Sequence, residues 1–240
     1  METNQWARQQ LLLGKEAMER LERASVAVFG LGGVGSYAAE ALVRSGVGRL
    51  LFIDGDRLSL TNLNRQLLAL HSTLGRLKAE AALERALDIN PALRGEAYPL
   101  FVTPENLDQI PLAGCDYVVD AIDTVSAKIA LALRCRELGV PLISSMGTGN
   151  KLDPSRLELA DLADTSVCPL ARVMRRELKK RGLCHLEVLY SREEPISPAG
   201  EPGEEAAPGR RALPGSVAFV PPAAGLMIAG RVIRRLAGLD

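Results

Sequence analysis

Between Asp54 and Lys78 the chain collects Asp54-Gly55-Asp56, Asn62, Arg65-Gln66 and Lys78. Carboxylates, two amides, a guanidinium and an ammonium at this spacing suit a site that breaks a bond at phosphorus. Such a site needs fixed cations and amide donors where negative charge accumulates. Asp123, at the tip of a later apolar run, adds a carboxylate able to hold Mg²⁺ through oxygen. Taken singly, Arg65 and Lys78 read as ordinary solvated charges. Falling together just past strand ends, beside a glycine-rich turn, the set points to one site.

That turn is the element the others must be built around. Val26 to Phe29 is a short β-branched and apolar run, which breaks into Gly30, Gly32, Gly33 and Gly35 before a helical pattern begins at Ser36. Strand, tight turn and helix N-terminus in this order leave unpaired N–H groups and the positive end of a helix dipole facing a phosphate. Gly30-x-Gly32-x-x-Gly35, with Asp54 closing the next strand, also fits the dinucleotide fingerprint. A hydride-transfer enzyme needs little beyond the ribose-binding acid, because its chemistry leaves the phosphates untouched. Asn62, Arg65 and Lys78 therefore favour chemistry at a phosphate, and a non-catalytic nucleotide-binding scaffold stands as a further alternative.

Periodicity supplies the frame. Residues 6–23 read as a helix split at Gly14, Tyr37 to Arg44 as a helix ended by Gly46-Val47-Gly48, and Arg49 to Ile53 as a second strand. A helix over Arg76 to Ile89 places Lys78 two residues inside it; Asn90-Pro91 stops it. Strands follow at Glu96 to Leu100, Tyr117 to Ala121 and Pro141 to Ser145, with a short helix after Thr103-Pro104-Glu105 and a longer one over Val125 to Leu138. Alternation of this kind predicts an α/β fold, a doubly wound and mainly parallel Rossmann-like sheet with its ligand at the C-terminal edge. Beyond the loop Gly147-Thr148-Gly149-Asn150 the chain reads as an α/β extension: strands at Arg156 to Leu162 and His185 to Tyr190, a helix over Cys168 to Arg181, and a last apolar element near Ala223 to Leu236. Prolines and glycines crowd the segment 195–214, which reads as a mobile loop. The whole is one unit over 1–240, with a nucleotide-binding core at 1–145 and an acceptor-side extension at 146–240.

Composition excludes several classes. The 240 residues are 47% hydrophobic and 24% charged, and 29 basic residues cancel 29 acidic ones, so no global field draws the protein to nucleic acid or membrane. Any cationic surface must be local, and Arg172, Arg175, Arg176 and Lys179 recur at spacings that share a helix face, a stripe that suits either solvent or RNA phosphates. Cys115, Cys135, Cys168 and Cys184 form no Cys-x-x-Cys clip, which implies neither a zinc knuckle nor a disulfide framework and sets a reducing cytoplasm as the default. Cys168, at a helix start, reads as a small entry residue, and His71 and His185 read as structural or surface groups. The start Met1-Glu2-Thr3-Asn4-Gln5 is no signal peptide, and the longest apolar run contains Pro221-Pro222 and is too short to span a bilayer, so no membrane partner is expected.

Gly30-Leu31-Gly32-Gly33-Val34-Gly35-Ser36, Asp54-x-Asp56, Asn62-x-x-Arg65-Gln66, Lys78 and Asp120-Ala121-Ile122-Asp123 together resemble the ubiquitin-activating-enzyme-like family, over roughly residues 6–162. Its members use ATP to adenylate a carboxylate and release pyrophosphate. The resemblance implies that Asp54 holds the ribose, that the glycine turn lies against the nucleotide and that Asn62, Arg65 and Lys78 contact the phosphates. It implies further that Asp123 coordinates Mg²⁺. Arg8, in Trp6-Ala7-Arg8-Gln9, is similar to an arginine that reaches into the partner subunit's site, so a homodimer is implied.

The missing cysteine clips count against the family's sulfur-carrier adenylyltransferases. Lys151-Leu152-Asp153-Pro154-Ser155-Arg156, Asp161 to Thr165, Pro169-Leu170-Ala171, Val188-Leu189-Tyr190-Ser191 and Gly215 to Pro221 resemble instead the branch of tRNA threonylcarbamoyladenosine dehydratases. That likeness implies ATP-dependent cyclisation of a modified adenosine beside the anticodon, hence tRNA as a partner and the extension as its tRNA-facing part. A sulfur-transfer protein partner and a monovalent cation are left open.

Overall fold

The computed structural model describes residues 4–197 and 214–240. Nearly all of the anticipated mobile loop at 195–214 lies outside these residues. One seven-stranded sheet carries the rest. Its strands are β1 (Ser25–Phe29), β2 (Arg49–Ile53), β3 (Arg94–Tyr98), β4 (Tyr117–Asp120), β5 (Leu142–Ser145), β6 (Leu157–Asp161) and β7 (Glu187–Ser191), in the spatial order β3-β2-β1-β4-β5-β7-β6. All pairings are parallel except β6 against β7. The two strands that follow residue 145 thus extend the same sheet.

The central strands are buried on both faces, which is why they read as continuous apolar runs. Alternation sends Val26, Val28, Tyr117 and Val119 to one core with α2 (Lys15–Arg23), α3 (Gly35–Arg44), α4 (Lys78–Ile89) and α7 (Val220–Ala237). Ala27, Phe29 and Val118 face the other core with α5 (Val125–Leu138) and α6 (Pro169–Lys179). The first helix, α1 (Ala7–Leu13), ends at Gly14, whose φ of +84° turns the chain into α2.

Close backbone approach sets α7 on α3. A Cβ on Gly225 would lie 2.2 Å from the Val34 carbonyl oxygen, so a larger residue there must push α7 away from the start of α3. Pro221 and Pro222 sit in the first turn of α7, where a missing N–H breaks no helical bond.

Several boundaries differ from the sequence reading. β3 lies two residues earlier than expected, because it is an edge strand with no fully buried residue and so lacks an apolar pattern to mark its register. The element after Thr103 is a single 3-10 turn, Leu107–Gln109. Lys78 is the first residue of α4 rather than the third of a helix, since Arg57 and Leu77 form a short bridge that holds the preceding segment extended.

The strand order reverses between β1 and β4: the chain leaves β1 for β2 on one side and enters β4 on the other. Loops at such a switch point diverge and open a crevice beyond the strand ends. The glycine turn follows β1, Asp54 follows β2 and Asp123 follows β4, so all three lie along that edge.

Candidate active site

The glycine turn is held by contacts that no side chain could replace. Gly30 has φ +82°, and its N–H donates to the Ile53 carbonyl at 2.8 Å. A Cβ on Gly35 would lie 1.7 Å from the Gly30 oxygen, and one on Gly30 would lie 2.6 Å from the Ala121 oxygen. The turn after β1 is therefore packed backbone against backbone on the turn after β4. Among the described residues, the N–H groups of Gly32 and Gly33 have no protein acceptor, and they lead into the N-terminus of α3. Such a pair of donors is a seat for an anion.

Asp54 closes the other side. Its Oδ2 accepts the Leu31 N–H at 2.6 Å and its Oδ1 accepts the Asp56 N–H at 2.8 Å. Burial pushes this carboxyl above the usual carboxylate range, against the opposing pull of Lys78 and of the two N–H groups. Lys78, with only 6% of its side chain exposed, donates through Nζ to Asp56 Oδ2 at 2.8 Å, while Asp56 is 54% exposed. The ammonium is thus fixed from below by α4 and by one carboxylate at the rim.

Arg65 and Gln66 are less fully satisfied. A Cβ on Gly33 would lie 3.4 Å from Arg65 Cγ, so the arginine stem covers the turn. Its guanidinium donates only to neutral groups, the Thr61 carbonyl at 3.1 Å and Asn64 Oδ1 at 2.9 Å, and desolvation lowers its pKa. Among the described residues no carboxylate neutralises it. Gln66 is buried beside Gly32, and its Oε1 is the one buried side-chain acceptor without a hydrogen-bond partner among the described residues. Asn62 is buried too; its Oδ1 accepts the Ser59 N–H at 3.2 Å in a local capping box, which leaves its NH₂ as donor.

Asp123 is exposed, and its Oδ1 accepts only the Thr124 hydroxyl, at 3.3 Å. Among the described residues no group of three or more His, Cys, Asp or Glu side chains could cage a metal. One free carboxylate beside a phosphate seat is the donor set that suits Mg²⁺, which keeps waters and takes its other oxygens from phosphates.

Other expected residues lie elsewhere. Arg8 is on α1, which packs at the far end of α3, where Trp6 Nε1 donates to the Arg44 carbonyl and Gln9 to that of Ser45. The glycine turn begins that helix, so Arg8 cannot serve the site of its own chain. The stripe on α6 is also broken. Arg175 is turned inward to donate to the carbonyls of Ala163 and Thr165, which lie in and just after the 3-10 turn Leu162–Asp164 beside the helix; Arg172, Arg176 and Lys179 remain exposed. His185 pairs with Asp161 at 3.2 Å, His71 is exposed, and Cys168 is buried at the start of α6.

Sequence reasoning missed a buried cluster under Asp123. Lys128 Nζ donates to Asp120 Oδ2 at 2.9 Å and to Ser144 Oγ at 3.0 Å, and Ser144 Oγ donates to the same Asp120 oxygen at 2.6 Å. The lysine and the aspartate are essentially unexposed. A signal was present: Lys128 falls at helical spacing with Leu131, Ala132 and Cys135, a charge on the apolar face. Asn64 was also missed, and Asn150 was read only as part of the loop after β5. Asn150 exchanges two hydrogen bonds with Gly215, and Asn64 donates to the Ser216 carbonyl at 3.0 Å, tying the segment before α7 to the loop after β5 and to the loop that carries Arg65.

Against known proteins, the model of the ThiF family matches residues 6–240. The chain belongs to the ThiF family. Within it, a tRNA threonylcarbamoyladenosine dehydratase of Bacillus subtilis (strain 168) is 45% identical over 97% of this chain and 94% of its own length. The crystal structure of the Escherichia coli tRNA N6-threonylcarbamoyladenosine dehydratase in complex with ATP superposes with a TM-score of 0.87 at 33% identity, over 98% of this chain and 94% of that one. A sulfur carrier protein adenylyltransferase of Thermus thermophilus is 40% identical, over 59% of this chain and 53% of its own length. The α/β fold expected from the sequence is thus that of the superposed Escherichia coli structure.

The orphaned Gln66 Oε1 generates a prediction. An unpaired buried acceptor costs roughly 1–3 kcal/mol, so Gln66→Leu should leave the melting temperature of the ligand-free protein unchanged or raised, and should weaken ATP binding about tenfold. Calorimetric titration with ATP reads this directly, and an unaltered affinity would reduce Gln66 to a packing residue.

Proposed function

We propose that this chain is an ATP-dependent dehydratase that adenylates the carboxylate of tRNA threonylcarbamoyladenosine and cyclises it, releasing AMP and pyrophosphate. The observation that carries this choice is the end-to-end match to a dehydratase, 45% identical over 97% of the chain. The likeness to a carrier adenylyltransferase extends over only 59%. Activation of a ubiquitin-like sulfur-carrier protein's C-terminal glycine remains the second reading, on that match.

The residues divide the work. Asp54 accepts hydrogen bonds from the ribose, beside the backbone it already holds. The free N–H groups of Gly32 and Gly33 and the NH₂ of Asn62 meet phosphate oxygens. Arg65 and Lys78 stabilise charge that grows on the phosphates as the bond between the α-phosphorus and the bridging oxygen breaks and an oxygen of the substrate carboxylate takes its place. Mg²⁺, held by Asp123, would neutralise the departing pyrophosphate. The acyl adenylate then has a good leaving group. A nucleophile on the same side chain attacks its carbonyl carbon, AMP departs and a ring closes, with proximity already supplied by the substrate. No enzyme thiol takes part in this sequence. Within the extension 146–240, Arg172, Arg176 and Lys179 offer an exposed cationic face to RNA phosphates.

The assembly is a homodimer in which Arg8 enters the partner's site. Support comes from its distance from its own site and from Leu11 and Leu12 on α1, which are 74% and 87% exposed. None of the described helices is long and apolar enough to cross a membrane, and the cytoplasm is the proposed location.

Arg65→Ala, Lys78→Ala and Asp123→Ala should each lower AMP formation by at least about a hundredfold while circular dichroism stays unchanged. Near-normal turnover in all of them would remove the mechanism. Threonylcarbamoyladenosine-containing tRNA, and not a carrier protein, should stimulate AMP release, and mass spectrometry should show loss of one water from the modified adenosine. Charge reversal at Arg172 and Arg176 should weaken tRNA binding and flatten its salt dependence; identical binding curves would make the stripe a solvated face. Mixing Arg8→Ala with Arg65→Ala protein should restore part of the activity that each lacks, since some mixed dimers keep one intact site. Failure to complement, with dimers present, would place Arg8 outside the site.

A further inference from the structure

We infer that Lys128 is a positioning residue: with Asp120 and Ser144 it forms a buried clamp that sets the turn carrying Asp123 and so determines how the protein engages the metal on the nucleotide. The inference rests on the proposed role of Asp123.

Three observations carry it. First, the clamp is closed. Each of its three members bonds to both others, and the lysine and aspartate side chains are 0% and 1% exposed. Lys128 therefore touches no ligand and acts only through its partners. Second, the clamp grips the turn. Asp120 uses Oδ2 for Lys128 and Ser144, while its Oδ1 accepts the Ile122 N–H at 3.1 Å. The preceding Ala121 donates its N–H to the Phe29 carbonyl at 2.7 Å, and its own carbonyl lies against Gly30. The backbone leading into Asp123 is thus held from β1 on one side and from the clamp on the other. Third, Asp123 has little of its own to orient it beyond the Thr124 hydroxyl. Its direction is inherited from the turn.

Stability alone does not account for such a cluster. Burying two full charges costs desolvation that apolar residues of equal volume avoid, and replacements of that kind are often neutral or stabilising. What apolar residues cannot do is fix a carboxylate so that its second oxygen meets one particular N–H.

The test uses the full chain and ATP. Affinity is measured with Mg²⁺ and with EDTA, together with amide hydrogen exchange over 121–124 and the melting temperature. In Lys128→Met, the tightening of ATP binding by Mg²⁺ should shrink by about tenfold, the size typical of residues that orient metal ligands. Affinity in EDTA should hold, and Ile122 and Asp123 should exchange faster. A lowered melting temperature with Mg²⁺ tightening and exchange as in the natural protein would overturn the inference, because a merely structural residue behaves in that way. Should Lys128→Met not fold, Ser144→Ala removes one leg without stranding a charge and should show a smaller loss in the same direction; no loss would overturn the proposal. Asp123→Ala separates the two readings. If it abolishes the Mg²⁺ effect and Lys128→Met does not, only the clamp fails; if it leaves the effect intact, the assignment of Asp123 fails and the clamp with it.

Discussion

The site depends on backbone packed against backbone where β1 and β4 end. Gly30 presses on Ala121, Gly35 on Gly30, and the Leu31 N–H is held by Asp54 from the end of β2. Three strand ends are thus joined through contacts in which most of the atoms belong to the main chain. The consequence is geometric: residues from distant parts of the sequence are placed relative to one another with little freedom. Precision of this order matters for phosphoryl chemistry, where the protein contributes position and charge rather than bonds.

Charges around that frame are settled unequally. Lys78 has Asp56, Asp54 has two N–H groups, and Lys128 has Asp120 and Ser144. Among the described residues, Arg65 has only neutral acceptors, and Gln66 Oε1 has no donor at all. A buried acceptor without a partner, as at Gln66, is rare inside proteins because it costs stability. Here Arg65 and Gln66 sit side by side over the glycine turn, along with two free N–H groups. The two N–H groups and the guanidinium suit an anion, while the Gln66 oxygen suits a hydroxyl or amine donor, so one surface offers complementary partners to both ends of a nucleotide. The fully paired groups lie beneath it and hold their carriers still.

Much of this was legible from residue types. Gly14 divided the first helix as its freedom to take positive φ suggests, α5 began and ended where its apolar spacing did, and the glycine turn lay where strand gives way to helix. These features are local, so local patterns reveal them. What escaped was nonlocal. The register of β3 is set by pairing with β2 and not by its own half-buried side chains. Arg175 looked like its neighbours on α6 until a turn of the chain ten residues away offered it two carbonyls. Lys128 meets its partners across two strands, Asp120 on β4 and Ser144 on β5, and no spacing in the sequence announces that meeting. Its apolar-face position was a hint that needed the fold to interpret it.

The absence of a catalytic thiol from this scheme follows from the acceptor rather than from the fold. An adenylated carboxylate needs an enzyme cysteine only when its acyl group must be carried to a second site. When the nucleophile belongs to the same side chain as the acid, transfer is intramolecular and a carrier would only lengthen the path. Cys115, Cys135 and Cys168 are buried, and burial pushes the Cys135 thiol up to about 12 and raises that of Cys115, which makes both poor nucleophiles. In the proposed reaction, selection of the acceptor falls to the surface beyond β5. There Asn150 and Asn64 pin the segment before α7 along the rim, and α6 leaves Arg172, Arg176 and Lys179 facing outward. The nucleotide half of the site would serve any carboxylate. In the proposed reaction it is these residues beyond β5 that would distinguish an acid carried on RNA from one carried on a protein.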